Sequence, residues 1–220
     1  MLRRFSILLL ALLGLCVLLP DPAEAQVAGT CVLHAPSRVA IGRPYIGLRL
    51  TMSGPCYPDG YASWWLYHPS QGSQDGALFD KTTSEYWDVY SDHTIGVHTW
   101  RPGSAWDAGY VDQAQNAPTS TVKLAAGAWI SSSRSGDVVT LKGTSLLYSV
   151  SNNNYFKRSA GGVFQFRERG TTQWKNLKSV STNSRGETTM AYRYSKTRDY
   201  RFALCSTSIS WDLASTVTTR

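Results

Sequence analysis

The chain is written in short runs in which apolar and polar residues alternate, and such runs point to an all-β fold. Ile46, Leu48, Leu50 and Met52 alternate with Gly47, Arg49 and Thr51, the two-residue period of a half-buried strand. After a turn region from Pro55 to Gly60, the stretch Ala62 to Tyr67 reads as a second strand, Tyr86 to Tyr90 as a third and Gly96 to Trp100 as a fourth. Further on, Val139 and Leu141 alternate with Thr140 and Lys142, and Phe164 and Phe166 alternate with Gln165 and Arg167. Trp174 to Thr182, a turn at Asn183 to Gly186 and a strand carrying Thr188, Met190 and Tyr192 read as a hairpin. Tyr200, Phe202 and Leu204 line the next strand, and Ser215 to Thr219 closes the chain as a β-branched edge. No stretch shows a convincing amphipathic helix.

The polar stretch Asp112 to Thr121 contains Pro118 and interrupts the pattern, which makes it the linker candidate. A chain of 220 residues fits one large domain or two of roughly 100 residues. Regular strand spacing on both sides of the interruption favours two tandem β-sandwiches, residues 26–120 and 121–220; the latter holds about seven strands.

The first 25 residues stand outside that scheme. Arg3 and Arg4 precede an apolar run from Phe5 to Leu19, Pro20 ends it, and Ala23-Glu24-Ala25 supplies a small-x-small cleavage pattern. The run is shorter than the roughly 20 residues needed to span a bilayer. A cleaved signal peptide, a secreted chain and no transmembrane anchor are therefore expected. Removing the leader discards Cys16 and leaves Cys31, Cys56 and Cys205, an odd number for an oxidising compartment. Cys31 and Cys56 read as a disulfide, which would stabilise the fold by about 3 kcal/mol. Cys205 is left over, either as a buried thiol in a strand, the favoured reading, or as a reactive one.

From Val139 to Phe202 the chain resembles the immunoglobulin-like β-sandwich domains of bacterial secreted and cell-surface proteins. The resemblance rests on Val139-Thr140-Leu141-Lys142-Gly143, Phe164-Gln165-Phe166-Arg167, Gly170 to Trp174, the turn from Thr182 to Gly186, and Tyr200-Arg201-Phe202. The first half is similar to companion domains through Trp64, His68-Pro69 and the corner Asp92 to His98. The resemblance implies that Trp64 is a core residue, that His98 occupies a corner position, and that the protein is a non-catalytic binding, adhesion or spacer module. The fold alone does not choose among these functions.

Charge divides the chain. Residues 26–122 carry 5 Lys+Arg against 8 Asp+Glu, a balance of −3, whereas residues 123–220 carry 15 against 5, a balance of +10. Such asymmetry speaks about partners rather than fold. Several basic residues of this half lie at outward strand positions, and Arg167, Arg169 and Arg193 are the candidate contacts to an anionic cell-wall polymer or polysaccharide; no specific nucleic acid is implied. The other reading is a solvated face that aids solubility or docks on the acidic half. Aromatic residues give a second signal. Trp64 and Trp65 must face opposite sides of their strand. Trp65 and Tyr67 then share the outer face, with Trp87, Trp106, Tyr86 and Trp100 as extensions of a strip that would stack on sugars, take a protein ligand or cover the domain junction.

Catalytic motifs are absent from the sequence: no G-x-S-x-G elbow, no H-E-x-x-H and no phosphate-cradling glycine loop. The alternative class is a secreted hydrolase or metal-binding protein built on His93, His98, His68, Asp88 and Asp107. No cofactor is expected, and Asp59, Asp75 and Asp80, read as loop residues, lack the spacing of a calcium loop.

Overall fold

The computed structural model describes residues 29–220, so the expected signal peptide, residues 1–25, lies outside the described residues. Every regular element among them is a strand. In chain order these are β1 (Thr30–His34), β2 (Arg38–Ile41), β3 (Tyr45–Ser53), β4 (Tyr61–His68), β5 (Gly72–Asp80), β6 (Ser84–Tyr90), β7 (Gly96–Trp106), β8 (Ala114–Gln115) and β9 (Thr119–Leu124). They are followed by β10 (Ala126–Ser135), β11 (Val138–Ser149), β12 (Asn154–Lys157), β13 (Gly161–Glu168), β14 (Lys175–Ser181), β15 (Glu187–Arg193), β16 (Arg198–Leu204), β17 (Leu213–Ala214) and β18 (Thr218–Thr219).

The strands form four sheets. Those up to β9 make one sheet in the order β6-β3-β1-β8 and another in the order β2-β9-β7-β4-β5. The later strands make a sheet in which β11 lies between β10 on one side and β12 and β15 on the other, and a second in the order β14-β13-β16-β17 with β18 also on β16. In both halves the chain crosses between the two sheets, as in an immunoglobulin-type sandwich, although β4 with β5, β10 to β12, β13 with β14 and β16 to β18 each stay within one sheet. β1, β3 and β6 stand against β4, β7 and β9 as β10, β11 and β15 stand against β13, β16 and β17.

Alternation generates the cores. One cluster of buried side chains is centred on Leu50, Trp64, Phe79, Trp87 and Trp100, and a second on Val139, Leu141, Phe164, Tyr200 and Phe202. Trp64 meets Phe79 edge-on at 5.9 Å, and Trp87 meets Trp100 edge-on at 5.4 Å. A buried indole N–H needs an acceptor, and the segment read above as a linker provides two. Trp64 Nε1 donates to the Asn116 carbonyl (2.8 Å), and Trp100 Nε1 donates to Ser120 Oγ (3.0 Å). Asn116 also imitates a strand neighbour of Leu33, accepting its N–H at 2.8 Å and donating to its carbonyl at 3.0 Å. Residues 112–121 are thus built into the first sheet pair. The dividing point between residues 120 and 121 falls inside β9, which pairs with β2 and β7.

The hairpin read across Asn183 to Gly186 is also corrected. The turn exists, with Asn183 Oδ1 accepting the N–H groups of Arg185 (2.9 Å) and Glu187 (3.0 Å). However, β14 pairs with β13 while β15 pairs with β11, so the turn carries the chain from one sheet to the other. Thr182 anchors that corner: it is buried, its hydroxyl lies 2.8 Å from Ser145 Oγ, and it accepts the Ala160 N–H at 2.8 Å. Asp75 and Asp80, read as loop residues, lie in β5.

Cys31 and Cys56 are bonded, with Cα atoms 5.6 Å apart and both side chains fully buried. Cys205 is free and exposed just beyond β16, contrary to the buried strand position favoured from sequence. The halves meet around Trp211, whose Nε1 donates to the Val39 carbonyl at 2.7 Å. The Arg38 guanidinium lies 4.1 Å from the Trp211 ring centroid and the Lys123 ammonium 4.5 Å, and Arg38 pairs with Asp212 at 2.6 Å.

Candidate functional site

The basic residues singled out from sequence separate into two places. Arg167 lies on the outer face of β13, with Arg169 just past the strand end, whereas Arg193 is an exposed residue of β15 in the facing sheet. What gathers around Arg167 is a constellation that alternation alone did not reveal. Cross-strand register sets Arg167 opposite Asp199 and Gln165 opposite Arg201, so the two arginines come from neighbouring rows of one face. Trp174 folds back against them: the guanidinium carbons of Arg167 and Arg201 stand 4.8 and 4.3 Å from its ring centroid. An indole face attracts such cations through its quadrupole.

Hydrogen bonds hold the arginine stems in place. Arg167 Nε bonds Asp199 Oδ2 at 3.0 Å, Arg201 Nε donates to Gln165 Oε1 at 2.7 Å, and Gln165 Nε2 donates to Asn176 Oδ1 at 2.8 Å. The Thr219 hydroxyl, first, and then Arg167 hold the Asp199 carboxyl below the usual carboxylate range. Burial, and then repulsion from Arg167, pulls Arg201 down from its ordinary value. Among the described residues no carboxylate lies within ion-pair distance of Arg201 or Arg169, while Glu168, Glu187 and Asp212 are committed to Arg198, Lys142 with Lys157, and Arg38. The terminal nitrogens of Arg201 are therefore left for an external acceptor. A planar guanidinium fork matches phosphate or carboxylate oxygens.

The aromatic strip expected in the first half does not form. Trp65 is 57% exposed on the outer face of β4, lying across Gly76, and Tyr67 is half-buried with the Arg101 guanidinium carbon 3.4 Å from its ring centroid. Trp87 and Trp100 are fully buried core residues, because the inward phase of β6 and of β7 falls on them. Tyr86, next to Trp87, points outward from the opposite sheet. Trp106 stacks on Tyr61 (4.1 Å, 9°) at the wall of a cavity of about 520 Å³ that Asp59, Asp80 and Tyr110 also line. Asp107, at the same wall, is occupied in shaping its own turn through the N–H groups of Gly109 and Val111 and through Gln113.

Three histidines that sequence reading could not connect come together. Ring centroids of His68 and His98 are 4.9 Å apart, and those of His93 and His98 are 5.1 Å apart. His98 is fully buried, its Nδ1 lies 3.2 Å from the Gly96 carbonyl, and Nε2 of both His93 and His98 has no protein partner. Burial, then the neighbouring His93, pushes His98 down to about 4; burial likewise lowers His93. Among the described residues no group of three or more His, Cys, Asp or Glu is placed to hold a metal ion.

No protein-family profile matches the chain, and no curated protein sequence does. Among solved structures it is similar to the native conformation of E. coli alpha-2-macroglobulin, with 10% identity and a TM-score of 0.42, covering 91% of this chain and 15% of that one. It is also similar to the D0-D1 domain of intimin, with 12% identity and a TM-score of 0.27 over 86% of this chain and 96% of that one. The FN1-FN3 domains of chicken CNTN1 match with 9% identity and a TM-score of 0.32, over 85% of this chain and 64% of that one. At these scores the matches carry no argument about activity or partner. The strand order described above identifies the architecture as immunoglobulin-like sandwich.

Proposed function

We propose that this protein is a secreted, non-catalytic binding module of the cell surface or extracellular space that attaches to an anionic polymer through the outer face of β13 and β16. The observation that carries the reading is the pairing of Arg167 and Arg201 against Trp174, with no carboxylate of the described residues within ion-pair distance of Arg201. A cation fixed on an aromatic ring and hydrogen-bonded through its stem gives up less side-chain freedom on binding than a mobile one, which favours affinity. Arg169 extends the same end of the face, and the balance of +10 over residues 123–220 adds long-range attraction. The leader-like N-terminus supports export. Among the described residues no helix is long and apolar enough to cross a membrane. The two core clusters and the sheet membership support two domains meeting at Ala125, between β9 and β10.

The test compares elution from phosphocellulose, as a phosphate-bearing polymer, for the protein and two single-charge variants. Arg201→Gln elutes at clearly lower salt than Arg193→Gln, although each removes one positive charge, because only Arg201 belongs to the constellation. Equal shifts for the two variants would reduce the attachment to net charge and overturn the reading.

A further inference from the structure

A second surface lies on the first sheet pair, away from the arginines. Tyr45, Tyr86 and Tyr90 share the outer face of β3 and of β6, the edge strand, and are 47%, 60% and 56% exposed. Register sets Tyr45 opposite Tyr90, Gly47 opposite Asp88 and Arg49 opposite Tyr86. Gly47 leaves the middle of this face empty, and the Tyr45 ring occupies the space: a Cβ at Gly47 would stand 2.9 Å from Tyr45 Oη and 3.6 Å from its Cζ. In that position Tyr45 Oη donates to Asp88 Oδ1 at 2.8 Å, which pushes the phenol pKa up. Its ring centroid lies 5.4 Å from that of Tyr90, and Tyr86 Cδ1 lies 3.8 Å from the same point above Gly47. The ring is thereby laid along the sheet between two others, with Asp88 in the middle row and Arg49 in the next.

We infer that this face binds a neutral polysaccharide chain. Exposed aromatic faces stack on the C–H faces of sugar rings, and the Asp88 carboxylate and Arg49 guanidinium supply the acceptor and donors that hydroxyl groups need. Size argues against a protein occupant. An aromatic side chain buries 150 to 250 Å², so three rings about half exposed offer about 300 Å², against about 800 Å² per partner for a stable protein interface. Charge argues against an anionic polymer: a carboxylate stands at the centre and a single guanidinium beside it, so the face has no net positive charge. The inference is independent of the basic face.

Native gel electrophoresis with and without hydroxyethylcellulose or galactomannan, two neutral soluble polysaccharides, tests it. At least one polymer retards the protein, and added salt does not abolish the effect. The double variant Tyr86→Ala/Tyr90→Ala, which changes only exposed side chains, loses about tenfold in affinity. Gly47→Thr, which keeps all three tyrosines and displaces the Tyr45 ring, also weakens retardation, while Arg201→Gln leaves it unchanged. Absence of retardation by both polymers overturns the inference, as does retardation that survives the loss of Tyr86 and Tyr90.

Discussion

Acid sensitivity of the first core follows from the burial of His98. Its ring is fully buried against His68 and His93, with Asp75 close enough to His93 to act on its charge, and its pKa falls from 6.5 to about 4. A base whose folded pKa is depressed binds fewer protons in the native state than in the unfolded one, so stability rises with pH. The contribution is fully present above about pH 6.5 and is lost as pH falls toward about 4. Integrating the linkage relation between those two values gives a loss of about 2 kcal/mol at about pH 5 and about 3 kcal/mol at about pH 4. His93, also lowered by burial, adds in the same direction. Most of this loss precedes the titration of the paired carboxylates: Lys157 and Lys142 hold Glu187 down at about 2, and Asp199 and Asp212 are also lowered by their partners. Urea unfolding followed by tryptophan fluorescence at a series of pH values from about 7 to about 4 measures the effect directly. In His98→Phe, which keeps an aromatic ring without the titrating nitrogens, the slope over this window becomes shallower by the share of His98. Parallel stability curves for the protein and His98→Phe would refute the argument.

Two further outcomes are expected. Replacing Cys31 and Cys56 together by alanine removes the constraint on a loop of 25 residues' separation and lowers unfolding stability by about 3 kcal/mol, read from the urea midpoint. In a Cys16→Ser background, Cys205, exposed beyond β16, reacts with a thiol reagent in the folded protein at one equivalent per chain; absence of reaction until denaturant is added would contradict its exposed position.

Local chemistry was enough to locate much of the fold. The alternation in Ile46 to Met52, the buried phase of Tyr200, Phe202 and Leu204, and the opposite facing of Trp64 and Trp65 all stand in the structure as read from period alone. Where the reading failed, it failed for lack of partners. Residues 112–121 look like a linker because they are polar and contain Pro118. Their polarity is consumed by the Trp64 and Trp100 indoles and by Leu33, which are distant in sequence. Turn chemistry at Asn183 to Gly186 is the same whether the next strand pairs with the last or crosses to the facing sheet, so only Thr182 bound to Ser145 distinguishes the two. Trp87 faces in and Tyr86 out, and nothing in a short run of two adjacent aromatic residues says which of them is buried.

The sequence by itself determined the all-β class, the phase of clearly alternating strands such as β3 and β16, the Cys31 with Cys56 pair and the opposite charge of the two halves, because each depends on residue type or on short-range spacing. Tertiary structure alone decided that Arg201 and Trp174 join Arg167 while Arg193 faces elsewhere, that Tyr45 lies over Gly47, and that three histidines share one place. Those juxtapositions are set by cross-strand register, and register depends on pairings between segments far apart in the chain, which no local pattern encodes.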